Sequence, residues 1–121
     1  MRKTKDFETC VDKEKLVKML ENLTEENITK GNNFKAEDKK EILEILRKLK
    51  NNEKSYFEAV LELKNIAIRL IDKNDFFNAG RVSGIIAVSA SGPLREKLIE
   101  EIYKHVIEKD EKEKSLSIRE K

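Results

Sequence analysis

The sequence predicts an all-α protein, a compact bundle of four to five helices around a central helical hairpin formed by residues 55–73 and 76–90. Three observations lead to this prediction. Lys, Glu, Leu and Ile dominate the composition, and Pro93 is the single proline. The apolar residues recur three and four positions apart between charged ones, which is the spacing of amphipathic helices. Strand-like alternation of apolar and polar residues never extends beyond a few positions.

The first two predicted helices are amphipathic segments with one apolar stripe each. The first covers about 12–23 and has Asp12 as its N-cap. The second covers about 36–50, with acids at its start and bases at its end, which suits the helix dipole. The stripes consist of Leu16, Val17, Leu20 and Leu23 in the first helix, and of Ile42, Leu43, Ile45, Leu46 and Leu49 in the second.

The third and fourth predicted helices form the central hairpin. The third covers about 55–73 and begins with Ser55 three residues before Glu58, the arrangement of a capping box. Its apolar surface is too wide for one contact, so we expect neighbours on more than one side. Asn74 or Asp75 then turns the chain and caps the fourth helix over about 76–90.

The fifth predicted helix starts at Pro93, directly after Gly92, because proline suits the first turn of a helix. It covers about 93–109 and directs five apolar residues inward, namely Leu98, Ile99, Ile102, Tyr103 and Val106. A run of charged residues follows it. We therefore predict a single helical domain over 12–109, a flexible basic N-terminus over 1–11 and a charged disordered tail over 110–121.

The charge balance does not single out an anionic partner. The net charge is only +2, from 26 basic and 24 acidic residues, so no extended field of one sign is expected. Binding of nucleic acid through basic helix ends and tails stays the alternative function. Its candidate phosphate contacts are Arg47, Lys48, Lys50 and Lys54, although acidic residues are interleaved with them.

The residue types needed for most catalytic and metal sites are scarce. His105 is the only histidine and Cys10 the only cysteine, so zinc motifs and an internal disulfide are excluded. We predict no catalytic residues, no metal and no cofactor. The start of the chain has no apolar signal core, and the longest uncharged run has thirteen residues, against roughly twenty for a membrane span. A cytoplasmic protein without membrane contact is expected.

One segment differs from the rest of the chain. Thirteen uncharged residues follow Arg81, and three of the four glycines lie within residues 74–93. On a helix, Gly80, Gly84 and Ala87 share one line, and close packing of another helix would offset the cost of the two glycines, about 1 kcal/mol each. We expect a nearly enclosed helix whose small-residue face packs either within the chain or against a partner. The candidate face comprises Phe76, Phe77, Gly80, Arg81, Ser83, Gly84 and Ala87.

Residues 61–93 resemble a single tetratricopeptide-type helical hairpin. The small residues of that family fall near Ala67 and Ala79, its turn near Asn74 and its closing proline near Pro93. Ser83 and Ile86 depart from the family pattern, and a second copy thirty-four residues away is not visible. The resemblance implies a scaffold that binds other proteins.

Together these observations favour a non-enzymatic interaction module, or a subunit of a larger assembly, whose partner is another protein or a second copy of the chain. A polar pocket near Arg81, Ser83, Ser89 and Ser91 would instead favour a small-ligand receptor or an enzyme.

Overall fold

The described part of the chain is predominantly α-helical, which confirms the predicted fold class. The computed structural model describes residues 10–29 and 34–120. Within these ranges the chain forms five α-helices and no β-strand. The helices are α1 (Lys13–Thr29), α2 (Ala36–Lys50), α3 (Tyr56–Asp72), α4 (Phe76–Ser89) and α5 (Gly92–Glu120).

Helix α3 lies at the centre of the bundle, as the width of its apolar surface predicts. It packs against α2, α4 and α5, while α1 packs against α2 and α4. Its buried residues are Ala59, Val60, Leu63, Ile66, Ala67, Leu70 and Ile71, none of them more than 2% exposed. Burying a large aliphatic side chain contributes about 1.5–3 kcal/mol, so this helix supplies much of the hydrophobic stabilisation.

The predicted capping box at the start of α3 is present. The Ser55 hydroxyl accepts a hydrogen bond from the Glu58 backbone N–H at 3.1 Å, and the Glu58 carboxylate accepts one from the Ser55 backbone N–H at 3.2 Å. The pKa of Glu58 is lowered, first by the Ser55 backbone hydrogen bond and then by its hydroxyl. The ionised carboxylate therefore helps to fix the first residue of the central helix.

Two asparagines end helices where glycine is more common. Asn74 has φ 64°, its N–H donates to Ile71 O at 3.0 Å, and the next N–H donates to Leu70 O at 2.9 Å. Asn52, with φ 58°, ends α2 in the same way. Both are Schellman motifs, in which the left-handed residue satisfies carbonyls at the helix C-terminus. The Asn74 motif folds α4 back onto α3.

The segment before α1 is joined to the junction between α4 and α5. Asp12 N–H donates to Ser89 O at 2.7 Å, and Ser91 N–H donates to Cys10 O at 2.8 Å. Val11 and Ala90 form an isolated antiparallel bridge, and both are buried. The predicted flexible N-terminus over 1–11 is therefore too long. Cys10 and Val11 belong to the fold, and residues 1–9 lie outside the described residues.

The last helix differs in length from its prediction. α5 runs to Glu120, whereas the sequence predicted an end at 109 and a disordered tail over 110–121. Its continuation is rich in Glu and Lys, which are good helix formers, and Lys109 pairs with Glu113 at 3.4 Å.

Two side chains that the sequence predicted to face the core are exposed instead. Leu43 on α2 is 43% exposed, and Tyr103 on α5 is 65% exposed.

A buried carboxylate ties α2 to α3. Asp38 is fully buried, and its Oδ1 accepts a 2.6 Å hydrogen bond from the Arg69 guanidinium, which also donates to Glu41 at 3.2 Å. Burial disfavours the charge of Arg69, but the bonds to Glu41 and Asp38 outweigh it and raise its pKa. Asp38 Oδ2 has no hydrogen-bond partner among the described residues.

We expect Ser55→Ala to lower the free energy of unfolding by about 1 kcal/mol, because α3 loses its N-cap hydroxyl. Urea denaturation followed by circular dichroism at pH 7 measures the loss. An unchanged unfolding midpoint would show that the capping box does not stabilise the central helix.

Glu58→Gln is the matched control, since glutamine also serves in a capping box and should cost a few tenths of a kcal/mol. It also tests the pH dependence. Because the folded-state pKa of Glu58 is lowered, its ionic contribution is complete above the ordinary value of about 4.3 and is lost as the pH falls through the lowered value. The stability difference between the wild type and Glu58→Gln should therefore shrink progressively as the pH falls below about 4.3.

Removing Arg69 should be more costly than removing Asp38. Arg69→Met leaves the Asp38 carboxylate buried without its cation, and we expect a loss of about 3 kcal/mol. Asp38→Ala leaves Arg69 with Glu41 and with solvent, since the Arg69 side chain is 37% exposed, and should cost about 1 kcal/mol. Urea denaturation at pH 7 compares the two variants. Equal losses would mean that the burial of Asp38 is not the controlling factor.

Candidate functional site

Helix α4 has one buried face and one face that is largely exposed. Its inner face is buried and consists of Asn78, Ala79, Val82, Ile85, Ile86 and Ser89. The opposite side, which we call the outer face of α4, consists of Phe76, Phe77, Gly80, Gly84, Ala87 and Val88. At about 100° per residue these six lie within an arc of about 120°. Not one of the six is charged or polar.

The outer face exposes large apolar side chains. Phe76 is 53%, Phe77 59% and Val88 50% exposed. Scattered apolar residues are normal on a protein surface, but a contiguous patch indicates an interaction site. In a chain of which 41% is charged, three such residues on one uncharged helix face form a distinct feature.

The glycines lie in open space. A Cβ atom placed on Gly80 or on Gly84 would meet no atom of the described residues within 4 Å. The expectation of a nearly enclosed helix, with its glycines packed closely within the chain, is therefore not met by the described residues. None of these residues offsets the helix-propensity cost of the two glycines, about 1 kcal/mol each. What remains of the prediction is contact with a partner.

The other predicted face residues lie at its edges. The Arg81 guanidinium lies over the Phe77 ring, 5.5 Å from the ring centroid, a cation–π contact. Ser83 is half-buried at the opposite edge. The structure thus places all seven predicted residues on one side of α4. Val88 was missed, although its spacing of four from Gly84 and eleven from Phe77 would have indicated it.

A groove extends the outer face onto α5. It has a volume of about 620 Å³ and is lined by Ala87, Arg95, Glu96, Ile99, Glu100 and Tyr103. Ile99 and Tyr103 give it an apolar floor beside Ala87, while the charged residues form its rim. The sequence analysis assigned Ile99 and Tyr103 to the core, whereas both line this groove. Helical spacing alone does not tell which residues at the edge of an apolar helix face reach solvent.

The serines proposed for a ligand pocket have structural roles instead. The Ser89 hydroxyl is buried and donates to Ile85 O at 2.6 Å. The Ser91 hydroxyl donates to Cys10 O at 3.2 Å and so secures the N-terminal segment. These bonds direct both hydroxyls to the backbone rather than towards Arg81 and Ser83.

Three of the four candidate phosphate contacts are paired with acids. Arg47 binds Glu44 and Glu53, Lys50 binds Glu21 at 2.6 Å, and Lys54 binds Glu62. The hydrogen bond from Arg47 lowers the pKa of Glu44, which keeps this carboxylate ionised beside the cation. Lys48, the fourth candidate, has no ion pair within the described residues. An acid next to each of the other three bases weakens the field that a phosphate backbone would meet.

The single histidine also lies within hydrogen-bond distance of a carboxylate. His105 Nε2 lies 2.7 Å from Asp72 Oδ1 and joins α5 to the end of α3. The pair borders a cavity of about 630 Å³ whose other lining residues are Glu108, Lys109, Glu111 and Lys112. Within residues 10–29 and 34–120 there is no cluster of three or more His, Cys, Asp or Glu side chains suited to hold a metal ion.

Comparison with known proteins does not assign the chain to a family. None of the known family models matches the chain, and neither a curated protein nor a solved structure is significantly similar to it. The likeness of residues 61–93 to a tetratricopeptide hairpin therefore stays a resemblance. Among the described helices, none has the length and apolar character needed to cross a membrane.

Because their surroundings are open, Gly80→Ala and Gly84→Ala should each raise the free energy of unfolding by about 0.5–1 kcal/mol, measured by urea denaturation of the monomer. Gly92→Ala is the matched control. Gly92 has φ +58°, so alanine is strained there and the same change should be destabilising by about 1 kcal/mol. Destabilisation at Gly80 or Gly84 would restore the close-packing explanation within one chain.

Proposed function

We propose that this protein is a non-enzymatic helical interaction module, acting alone or as a subunit of a larger assembly, which binds its partner through the outer face of α4. One observation carries the proposal: Phe76, Phe77 and Val88 are half-exposed along one uncharged helix face. Exposed apolar area of this kind contributes about 25 cal/mol per Å² when a partner covers it. Aromatic side chains, phenylalanine included, are also enriched in protein interfaces relative to the rest of the surface.

The shape of the face suits a helix or another narrow element. Gly80 and Gly84 form its floor, and since no atom from the described part of the chain lies above them, a partner backbone can approach α4 closely. Phe77 and Val88 stand at either end of this floor. The groove bordered by Ile99 and Tyr103 widens the apolar area, and Arg95, Glu96 and Glu100 supply a charged rim. An apolar centre within a polar rim is the usual layout of a protein interface.

The nucleic-acid alternative has less support. Three of its four candidate basic residues, Arg47, Lys50 and Lys54, already bind carboxylates. A phosphate backbone would have to displace these acids, whereas a protein partner at the outer face displaces only water. We place the module in the cytoplasm, where its free Cys10 would stay reduced.

Two charge substitutions test the interaction. Phe77→Glu lies in the first turn of α4 and Val88→Lys in its last turn, so each new charge suits the helix dipole and should leave the fold intact. Each variant is used as bait in lysate of the source organism. We expect it to capture at least about tenfold less of the partner than the wild type does. Quantitative mass spectrometry of the captured proteins measures the loss, and thermal melting verifies the fold.

Leu43→Lys is the matched control, because Leu43 is 43% exposed but lies on α2, away from the outer face. Its capture of partner should equal that of the wild type. Two results would contradict the proposal: capture that survives both α4 substitutions, or capture lost equally in the Leu43 control.

A further inference from the structure

The apolar ends of the outer face are arranged evenly about residue 82. Phe76 and Phe77 precede it by six and five positions, Val88 and Ala87 follow it by six and five, and Gly80 and Gly84 flank it by two. The bulky aromatic residues thus lie at one end of the face. Smaller residues and the α5 groove lie at the other, with the open glycine floor between them.

The outer face of α4 is complementary to the outer face of a second copy whose helix runs in the opposite direction. If two outer faces meet with their helices antiparallel at the level of residue 82, the Phe76–Phe77 end of each copy lies over the Ala87–Val88 end of the other. The glycine floors then cross at the centre, where the absence of side chains lets the helices approach. Each phenylalanine end faces a groove of about 620 Å³, a volume typical of pockets that hold drug-sized ligands and therefore ample for a phenyl ring.

Charge does not oppose this pairing. The six residues of the outer face carry no charge, and the whole chain carries only +2. The Arg81 guanidinium lies over the ring of Phe77, a residue that precedes residue 82 by five positions, or about 7.5 Å along the axis. At that level the two guanidinium groups of an antiparallel pair are about 15 Å apart along the helix axis. That distance exceeds the Debye length of about 8 Å at physiological salt, so their repulsion is screened.

Resting on the interaction function above, we propose that the occupant of the outer face is a second copy of this chain, packed antiparallel about a two-fold axis at the level of residue 82. The six face residues extend about 20 Å along the helix. They offer much less than the roughly 800 Å² that each partner of a stable complex buries, even with the α5 groove added. The dimer should therefore be reversible, with a dissociation constant of about 10 µM to 1 mM.

Mixed cysteine variants test both the partner and its direction. In a Cys10→Ser background, one chain carries Phe77→Cys and the other, enlarged by a tag, carries Val88→Cys. In the antiparallel pair, residues 77 and 88 of opposite copies differ by about 1.5 Å in height along the axis. Two copies of residue 77 are about 15 Å apart, and two copies of residue 88 about 18 Å. A disulfide needs Cα atoms within about 7 Å, so only the mixed pair can form.

We expect oxidation of the mixture to give the mixed disulfide at least about tenfold over either homodisulfide, as read on a non-reducing gel. A Leu43→Cys chain replacing either partner should form none. Predominant homodisulfides would overturn the antiparallel packing. In the unmodified protein, the mass in sedimentation equilibrium should rise from 14.1 kDa towards twice that value as the concentration increases.

A mass that stays at 14.1 kDa up to about 1 mM, with no disulfide formed, would overturn self-association. That failure is distinct from failure of the proposed function. If the protein is monomeric but Phe77→Glu and Val88→Lys still abolish capture of another protein, the face binds a different partner. If capture is also insensitive to these changes, both proposals are wrong.

Discussion

The need to cover α3 determines how the other helices are arranged. Its buried residues and the partly buried Phe57, Leu61 and Ile68 together span about 220° of the helix circumference, so a single neighbour cannot remove them from water. α2, α4 and α5 each cover part of this surface. The Schellman turns at Asn52 and Asn74 return the chain after α2 and α3 within a few residues, which places sequence neighbours side by side. α1 then closes the bundle against α2 and the inner face of α4.

The same constraint explains why α4 has an unused side. Covering α3 and α1 requires only its inner face, and for that purpose the outer face could carry any polar residues. It carries phenylalanine, valine, alanine and glycine instead. The glycines weaken the helix without a compensating contact among the described residues, since no atom of these residues lies within 4 Å of a Cβ placed on either glycine. An association that covers this face gives both features a physical reason.

The charged residues of the bundle have a different role, which is to join helices at their edges. Lys50 binds Glu21 between α2 and α1, Arg69 binds Asp38 between α3 and α2, and Lys64 binds Glu101 between α3 and α5. The exposed Lys50–Glu21 pair contributes little to stability. The Arg69–Asp38 pair contributes more, because the Asp38 carboxylate is buried. These pairs leave the outer face of α4 as an uncharged surface among paired charges.

The sequence by itself determined the local features, because these depend on residues a few positions apart. Helical spacing, the Ser55 capping box, the turn at Asn74 and the restart at Gly92–Pro93 were predicted and lie where the structure has them. Spacing likewise placed Gly80, Gly84 and Ala87 on one line, and the predicted candidate face included Phe76 and Phe77 beside them. It could not say what that face meets, since periodicity reports which residues share a side and not which neighbour covers it. Three features could be seen only in the folded chain, because each of them joins residues that are distant in the sequence. α3 and α1 pack against the inner side of α4, and residues 10–12 pair with 89–91. Asp38 is buried against Arg69.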